Sequence, residues 1–351
     1  MIPYWILFGV CAIFALTRID YQEISARNRA GLGIVLFLIS IMIGFRTEVG
    51  GDYFSYIRMH NELRNFELFD VWRRTEIGYG LIDWTAGRLG LGTWVVNWAC
   101  AMIFSWGLWK YLRSNPNPYL GLTIAVPYMV IVVAMGYSRQ GAALGFLLAA
   151  MANFDRARIG NYILLVCLAV TFHRSAIVML PVGLLAFTHN RLLSFGLLVL
   201  IGFALYYVFV QSAIDRLVNN YVTDAQESQG AFVRVMMCIP PALLVLAWGN
   251  RFRFTEDQAR FYRNMAIASF VALAALLFRV PSTVVDRLAL YIIPLQLVVL
   301  TRLVAVFPAE RRSAFVLSVG VILIYAGVQF VWLTRASFSP LWIPYKMLWF
   351  N

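Results

Sequence analysis

Apolar runs close to membrane-spanning length recur from one end of the chain to the other, and no water-soluble core can absorb them all. A helix that crosses a bilayer takes about 20 apolar residues. Of the 351 residues, 61% are hydrophobic and only 13% are charged, against about 25% charged in a typical soluble domain. Soluble cores stop growing at about 250–300 residues and split into domains. A soluble enzyme, a nucleic-acid binder and a disordered chain are therefore excluded. The sequence predicts an all-α, polytopic membrane protein.

About twelve spans are expected, several of them short or broken. They lie near Tyr4–Thr17, Gly31–Phe45, Thr93–Leu112, Tyr119–Met135, Arg139–Asn153 and Asn161–Phe172, then near Ala176–Thr188, Leu193–Val210, Phe232–Trp248, Met265–Phe278, Leu288–Leu303 and Ser313–Leu333. The fifth to seventh are short for a bilayer and are expected to be tilted, broken or re-entrant. Residues 1–351 read as one integral membrane domain without a sequence repeat. Residues 46–92 read as a loop on the outer, periplasmic side, carrying an amphipathic helix over Glu76–Gly92. The N-terminus has no basic region ahead of its apolar run and is read as a first span, not a cleaved signal.

A net charge of +12 would suggest nucleic acid in a soluble chain. Here the basic residues fall between apolar segments, where they set orientation and meet lipid headgroups. Of the 29 basic residues, 27 are arginine, the exceptions being Lys110 and Lys346. Guanidinium grips phosphate or carboxylate with two parallel hydrogen bonds, which suits anionic ligands. Codon bias in a GC-rich genome is the plain alternative. Strict alternation of the spans divides 15 basic residues onto one side and 14 onto the other. The short linking loops that contain little else are basic on the first side, which is assigned to the cytoplasm. Both termini then face outward. Cys11, Cys100, Cys167 and Cys238 lie far apart inside apolar segments, so neither a metal site nor a disulfide framework is expected. No cofactor is expected either.

Ionisable residues at membrane depth are costly and mark function by default. Four clusters stand out, all on the outward side. In Gly136-Tyr137-Ser138-Arg139-Gln140-Gly141, Ser138 is placed to N-cap a helix with Arg139 in its first turn, an anion site by charge and geometry. An arginine snorkelling to headgroups is the bland alternative. The glycines miss the G-x-S-x-G spacing by one residue, so this is no nucleophile elbow. Thr171-Phe172-His173-Arg174-Ser175-Ala176 offers a histidine as candidate base, though a lone histidine is more often structural. The loop from Arg46 to Gly80 mixes six acids with five arginines. Its Gly50-Gly51 pair suggests a tight turn that holds Asp52 and Tyr53, with Tyr56 and Tyr79 adding sugar-stacking rings. A salt-bridged structural loop is equally compatible. Last, Arg279-Val280-Pro281-Ser282-Thr283-Val284-Val285-Asp286-Arg287 sets two arginines around a helix start, with Asp286 placed to neutralise one. Arg139, Arg174, Arg279 and Arg287 are together suited to a diphosphate, without a metal.

In this order the pieces resemble the EpsG-like family of Wzy-type polysaccharide polymerases, over about residues 1–300. Gly51-Asp52-Tyr53-Phe54-Ser55-Tyr56 is similar to that family's G-x-D-Y-x-x-Y segment, and Glu76-Ile77-Gly78-Tyr79 to its acidic element. Ser138-Arg139-Gln140-Gly141-Ala142-Ala143 resembles its R-Q-x-x-A helix start, and Phe172-His173-Arg174-Ser175-Ala176 its H-x-S-A knot. Arg174 beside the histidine departs from the pattern.

The resemblance implies a GT-C-like membrane glycosyltransferase of the bacterial inner membrane, with its site facing the periplasm. It implies transfer of a growing glycan from undecaprenyl diphosphate to an incoming lipid-linked repeat unit, metal-independent and inverting. The expected partners are the undecaprenyl-diphosphate-linked oligosaccharide and membrane lipid, with a chain-length regulator as a further candidate and no nucleic acid. The expected base is His173, Asp52 or Glu76. Diphosphate contacts fall to Arg139, Arg174, Arg279 and Arg287, and substrate contacts to Arg46, Tyr53, Tyr56, Tyr79 and Gln140. Two other classes fit such a chain: a flippase for lipid-linked oligosaccharides, and a membrane O-acyltransferase.

Overall fold

A computed structural model describes residues 1–17, 26–152, 154–188, 230–306 and 311–348, with a few isolated positions between 192 and 203. Among the described residues every regular element is a helix, apart from one antiparallel bridge between Arg46 and Met347. They form two compact units. The first comprises Met1–Asn153, Leu168–His173 and Leu300–Asn351; the second comprises Phe154–Cys167 and Arg174–Val299.

The first unit contains α1 (Ile2–Thr17), α2 (Ala26–Gly44), α3 (Tyr53–Leu63), α4 (Leu68–Arg74), α5 (Ile77–Arg88), α6 (Thr93–Leu112), α7 (Pro118–Ala125) and α8 (Ser138–Met151). Beyond Ala125 the chain runs on as a π-helix over Val126–Ala134. The fourth expected span is thus helical but not uniformly α. From Pro118 to Ala134 almost every side chain is buried, as a helix that is apolar all round requires. Small residues set the packing of α6 on α8. A Cβ at Gly107 would stand 1.8 Å from Gly145 O, and one at Gly145 would stand 2.5 Å from Ile103 O. The two backbones meet where neither carries a side chain, the close approach typical of helices that pack in lipid. On the outside, Ile13, Ile34, Leu38, Val316, Leu323 and Ile324 expose large apolar surface. Water would penalise these faces and hydrocarbon does not.

The second unit opens with α9 (Ile159–Val170), whose last turn belongs to the first unit, and continues with α10 (Met179–Phe187), α11 (Ala231–Trp248), α12 (Glu256–Leu277) and α13 (Ser282–Ala289). A capping box starts α12, Thr255 accepting from Gln258 N–H while the Gln258 side chain accepts from Thr255 N–H. Stacked Phe154, Phe187 and Phe261 hold α10 to α12, with ring centroids 4.7 and 4.3 Å apart. α14 (Pro294–Val306) begins in this unit, and α15 (Arg311–Arg335) belongs to the first.

Among the described residues, three helices are long and apolar enough to cross a bilayer: Ala231–Phe252, Glu256–Leu277 and Arg311–Arg335. The span expected over Leu288–Leu303 is not continuous. Ser282–Ala289 and Pro294–Val306 meet at a 47° bend, because Pro294 lacks the N–H that would extend the first helix. The fifth and sixth spans appear as helices of 14 and 12 residues. At 1.5 Å per residue these reach only about 21 and 18 Å, short of a hydrocarbon core of about 30 Å. The eighth span and the loop that follows it, residues 204–229 above all, lie outside the described residues. Residues 46–92 carry three helices where one was expected: α5 lies within Glu76–Gly92, without a distinct apolar face, and α3 and α4 precede it.

Candidate functional site

All the site geometry described next lies in the first unit. Gly50 takes φ +110°, a conformation costly for any residue with a Cβ. Tyr53 N–H closes the turn on Gly50 O at 3.2 Å, and α3 starts directly behind Asp52. The turn expected from the paired glycines is there. Asp52 sits at the N-cap position, half-buried, and its backbone N–H donates to Gly136 O at 3.3 Å. That bond brings the Asp52 turn against the start of α8, 84 residues further on.

α8 presents Arg139 and Gln140 in its first turn. The Arg139 guanidinium donates through Nη1 to Glu76 Oε2 at 2.8 Å. It also lies 5.8 Å from the ring centres of both Tyr56 and Tyr79, within the range of cation–π attraction. Tyr56 OH accepts from Arg139 N–H at 3.4 Å. Glu76 reaches this position because α5 starts against the histidine knot. Gly78 N–H donates to Thr171 O at 2.8 Å, and a Cβ on Gly78 would stand 2.5 Å from Thr171 Oγ1. The knot in turn supplies His173, whose Nε2 lies 3.1 Å from Gln140 Nε2. With the amide nitrogen donating, Nε2 accepts and the ring proton sits on Nδ1.

Glu76 experiences opposed influences. Burial pushes its carboxyl up, but the Arg139 charge, His173 and the bonds it accepts outweigh this and hold it below the usual carboxylate range. The phenols of Tyr56 and Tyr79 are pushed up, first by burial, so both stay protonated around the guanidinium.

Several expected residues occupy unexpected places. Ser138 does not cap α8. It donates to Asn97 Oδ1 at 2.7 Å and accepts from Arg46 Nη2 at 3.0 Å. Arg46, expected to meet substrate, is 1% exposed. Its Nε donates to Val49 O at 3.0 Å and its Nη1 to Ile43 O at 2.5 Å. A guanidinium can be buried this deeply because its nitrogens are all engaged. It fastens the end of α2 to the start of α8. Tyr56 and Tyr79 are buried too, flanking Arg139 instead of offering ring faces outward. Tyr53 is half-buried, with its ring edge-on to Phe54. Arg174, Arg279 and Arg287 are exposed and belong to the second unit. There Asp286 is paired with Arg234, a residue the sequence reading had not singled out.

His60 lies in the stretch expected to be a loop. It is buried in α3, its Nδ1 donating to Asp83 Oδ1 at 2.6 Å and its Nε2 to Leu91 O at 3.0 Å. A carbonyl only accepts, so Nε2 carries a proton, and a carboxylate accepting from Nδ1–H favours the protonated ring. The Asp83 bond is the main cause that raises its pKa. The pair joins α3 to α5. Among the described residues, no three of His, Cys, Asp and Glu are grouped to hold a metal ion.

Gly51–Tyr56, Glu76–Tyr79, Ser138–Gln140 and His173 are thus one constellation drawn from four stretches of chain. The sequence model of the EpsG family matches residues 31–347. The chain belongs to the EpsG family. That family is associated with polysaccharide-polymerase-like proteins, and an EpsG-family chain with these apolar helices is a membrane protein. The match begins at residue 31 and reaches residue 347, beyond the stretch of about residues 1–300 over which the resemblance was expected, and takes in the C-terminal segment. No curated protein and no solved structure matches the chain.

Proposed function

We propose that this EpsG-family protein is a polysaccharide polymerase that transfers a growing glycan from undecaprenyl diphosphate to a hydroxyl of an incoming lipid-linked repeat unit. The observation that supports this reading is the meeting of Arg139, Glu76, Gln140 and His173 in one unit. The acceptor oxygen forms the new bond to the anomeric carbon as the bond to the diphosphate oxygen breaks, and the electron pair leaves on diphosphate. A single displacement of this kind inverts the anomeric centre. Arg139 meets the charge that develops on the leaving group, where a fixed cation in a sheltered site acts most strongly. The acceptor proton passes to a base, His173 being first choice and Glu76 and Asp52 its rivals. Arg174, Arg279 and Arg287 are further candidates for the diphosphate. The same reading includes about twelve spans in a GT-C-like arrangement, residence in the bacterial inner membrane and a site open to the periplasm.

Deleting the gene tests it. Loss of a polymerase leaves single repeat units capped onto the final carrier, and the intact gene should restore a ladder where the Arg139→Ala gene does not. Loss of almost all repeat units would point to a flippase, and full-length chains lacking a substituent to an acyltransferase.

A further inference from the structure

Residues 336–348 do not trail away from the helices; they are woven into the first unit beside the site. Thr47 N–H donates to Lys346 O at 3.0 Å, Leu348 N–H to Phe45 O at 2.9 Å and Gly50 N–H to Leu341 O at 2.9 Å. Lys346 pairs with Glu48. At the centre stands Trp342, 1% exposed and edge-on to Trp332 at 5.0 Å. Its indole N–H donates to Ile131 O in the π-helical stretch at 2.7 Å, and its own carbonyl accepts from Tyr4 OH at 2.7 Å. The ring lies against Gly51, in the Asp52 turn, and against Gly136, just ahead of α8. A Cβ at Gly136 would stand 2.5 Å from Trp342 Cζ2, and one at Gly51 would stand 3.6 Å from Cη2. Gly51 precedes Asp52, and Gly136 comes three residues before Arg139.

We infer that Trp342 is a positioning residue, a wedge that fixes the Asp52 turn and the Arg139 helix start in register. The inference rests on the polymerase reading. A void in place of the indole lets the Asp52 turn and the segment ahead of α8 shift, and a misplacement of about 1 Å at a reacting centre costs on the order of 10²-fold in rate. Trp342 touches no reacting atom, so its effect belongs in turnover and not in whether substrate binds.

The experiment uses the full chain in detergent, with lipid-linked repeat units as substrate and turnover expressed per folded protein. Trp342→Leu should lower turnover per folded protein on the order of 10²-fold while KM changes little; the void also lowers the thermal midpoint, so turnover is read well below it. Gly136→Ala forces a methyl into the indole and should also lower turnover. In the double variant the methyl meets no ring, so the second loss should not be added to the first. Unchanged turnover in Trp342→Leu, or two losses that simply multiply, would overturn the inference. Should Trp342→Leu fail to fold, Gly136→Ala decides alone, and wild-type turnover in it overturns the inference. A wild-type protein that makes no polymer would instead sink the polymerase reading.

Discussion

Replacing Arg139 by alanine strands the Glu76 carboxylate, and this separates what the pair does for stability from what the arginine does for chemistry. Breaking a fully buried ion pair costs about 3–5 kcal/mol, chiefly because one charge is left uncompensated. The Arg139 and Glu76 side chains remain 28% and 13% exposed, so solvent screens part of that loss and about 1–3 kcal/mol is expected. A chain of 150–250 residues loses about 2–4 °C per kcal/mol, and this longer one somewhat less. Arg139→Ala should thus lower the thermal midpoint by several degrees and abolish polymerisation. Adding Glu76→Gln removes the stranded charge, and should return most of the midpoint without any activity. The pH dependence carries the same signature. Glu76 sits below its ordinary value of 4.5, so the pair's contribution is present above that value and is lost as pH falls through the lower folded one. Arg139→Ala should lack that acid-side loss. Thermal scans across pH and a gel of lipid-linked products read both effects. If the double variant polymerises, Arg139 serves only to neutralise Glu76, and the diphosphate argument is refuted.

His173→Ala should reduce turnover by the ~10²–10⁴-fold of general-base loss and remove the acidic limb of the pH–rate profile; if His173→Gln keeps the activity and the limb, the base lies elsewhere. The His60 imidazolium contributes stability below its ordinary 6.5, and that is lost as pH rises through its raised folded value. The wild-type midpoint should therefore fall on the alkaline side while that of His60→Gln stays flat, and parallel curves would show the pair to be silent. Gly145→Ala places a Cβ 2.5 Å from Ile103 O and 2.6 Å from Phe104 Cα. Backbone cannot yield as a flexible side chain can, so a loss of about 1–3 kcal/mol should appear as poor membrane accumulation, and wild-type accumulation would contradict the close crossing of α6 and α8.

Hydropathy is a local property, and so the apolar helices of this protein were legible in its sequence while the polar α3 and α4 were not. Thr93–Leu112 is found to the residue, and the candidate motifs could be named because costly polar groups stand out against apolar runs. The break at Pro294 was not read, because apolar residues continue on either side of it. What each polar group faces is not a local property. Ser138 carries a capping residue's side chain at a helix start, yet Arg46 and Asn97, 92 and 41 residues away, claim its oxygen. His60 finds Asp83, and Trp342 finds Ile131 across 211 residues. A buried donor or acceptor must be satisfied by whatever the fold brings to it. The composition and order of residues determined that the chain is a helical membrane protein of the polymerase-like kind. Only the packing of the helices decided that Glu76, Arg139 and His173 would gather, that Arg46 would be sealed inside, and that the C-terminal segment would close behind them.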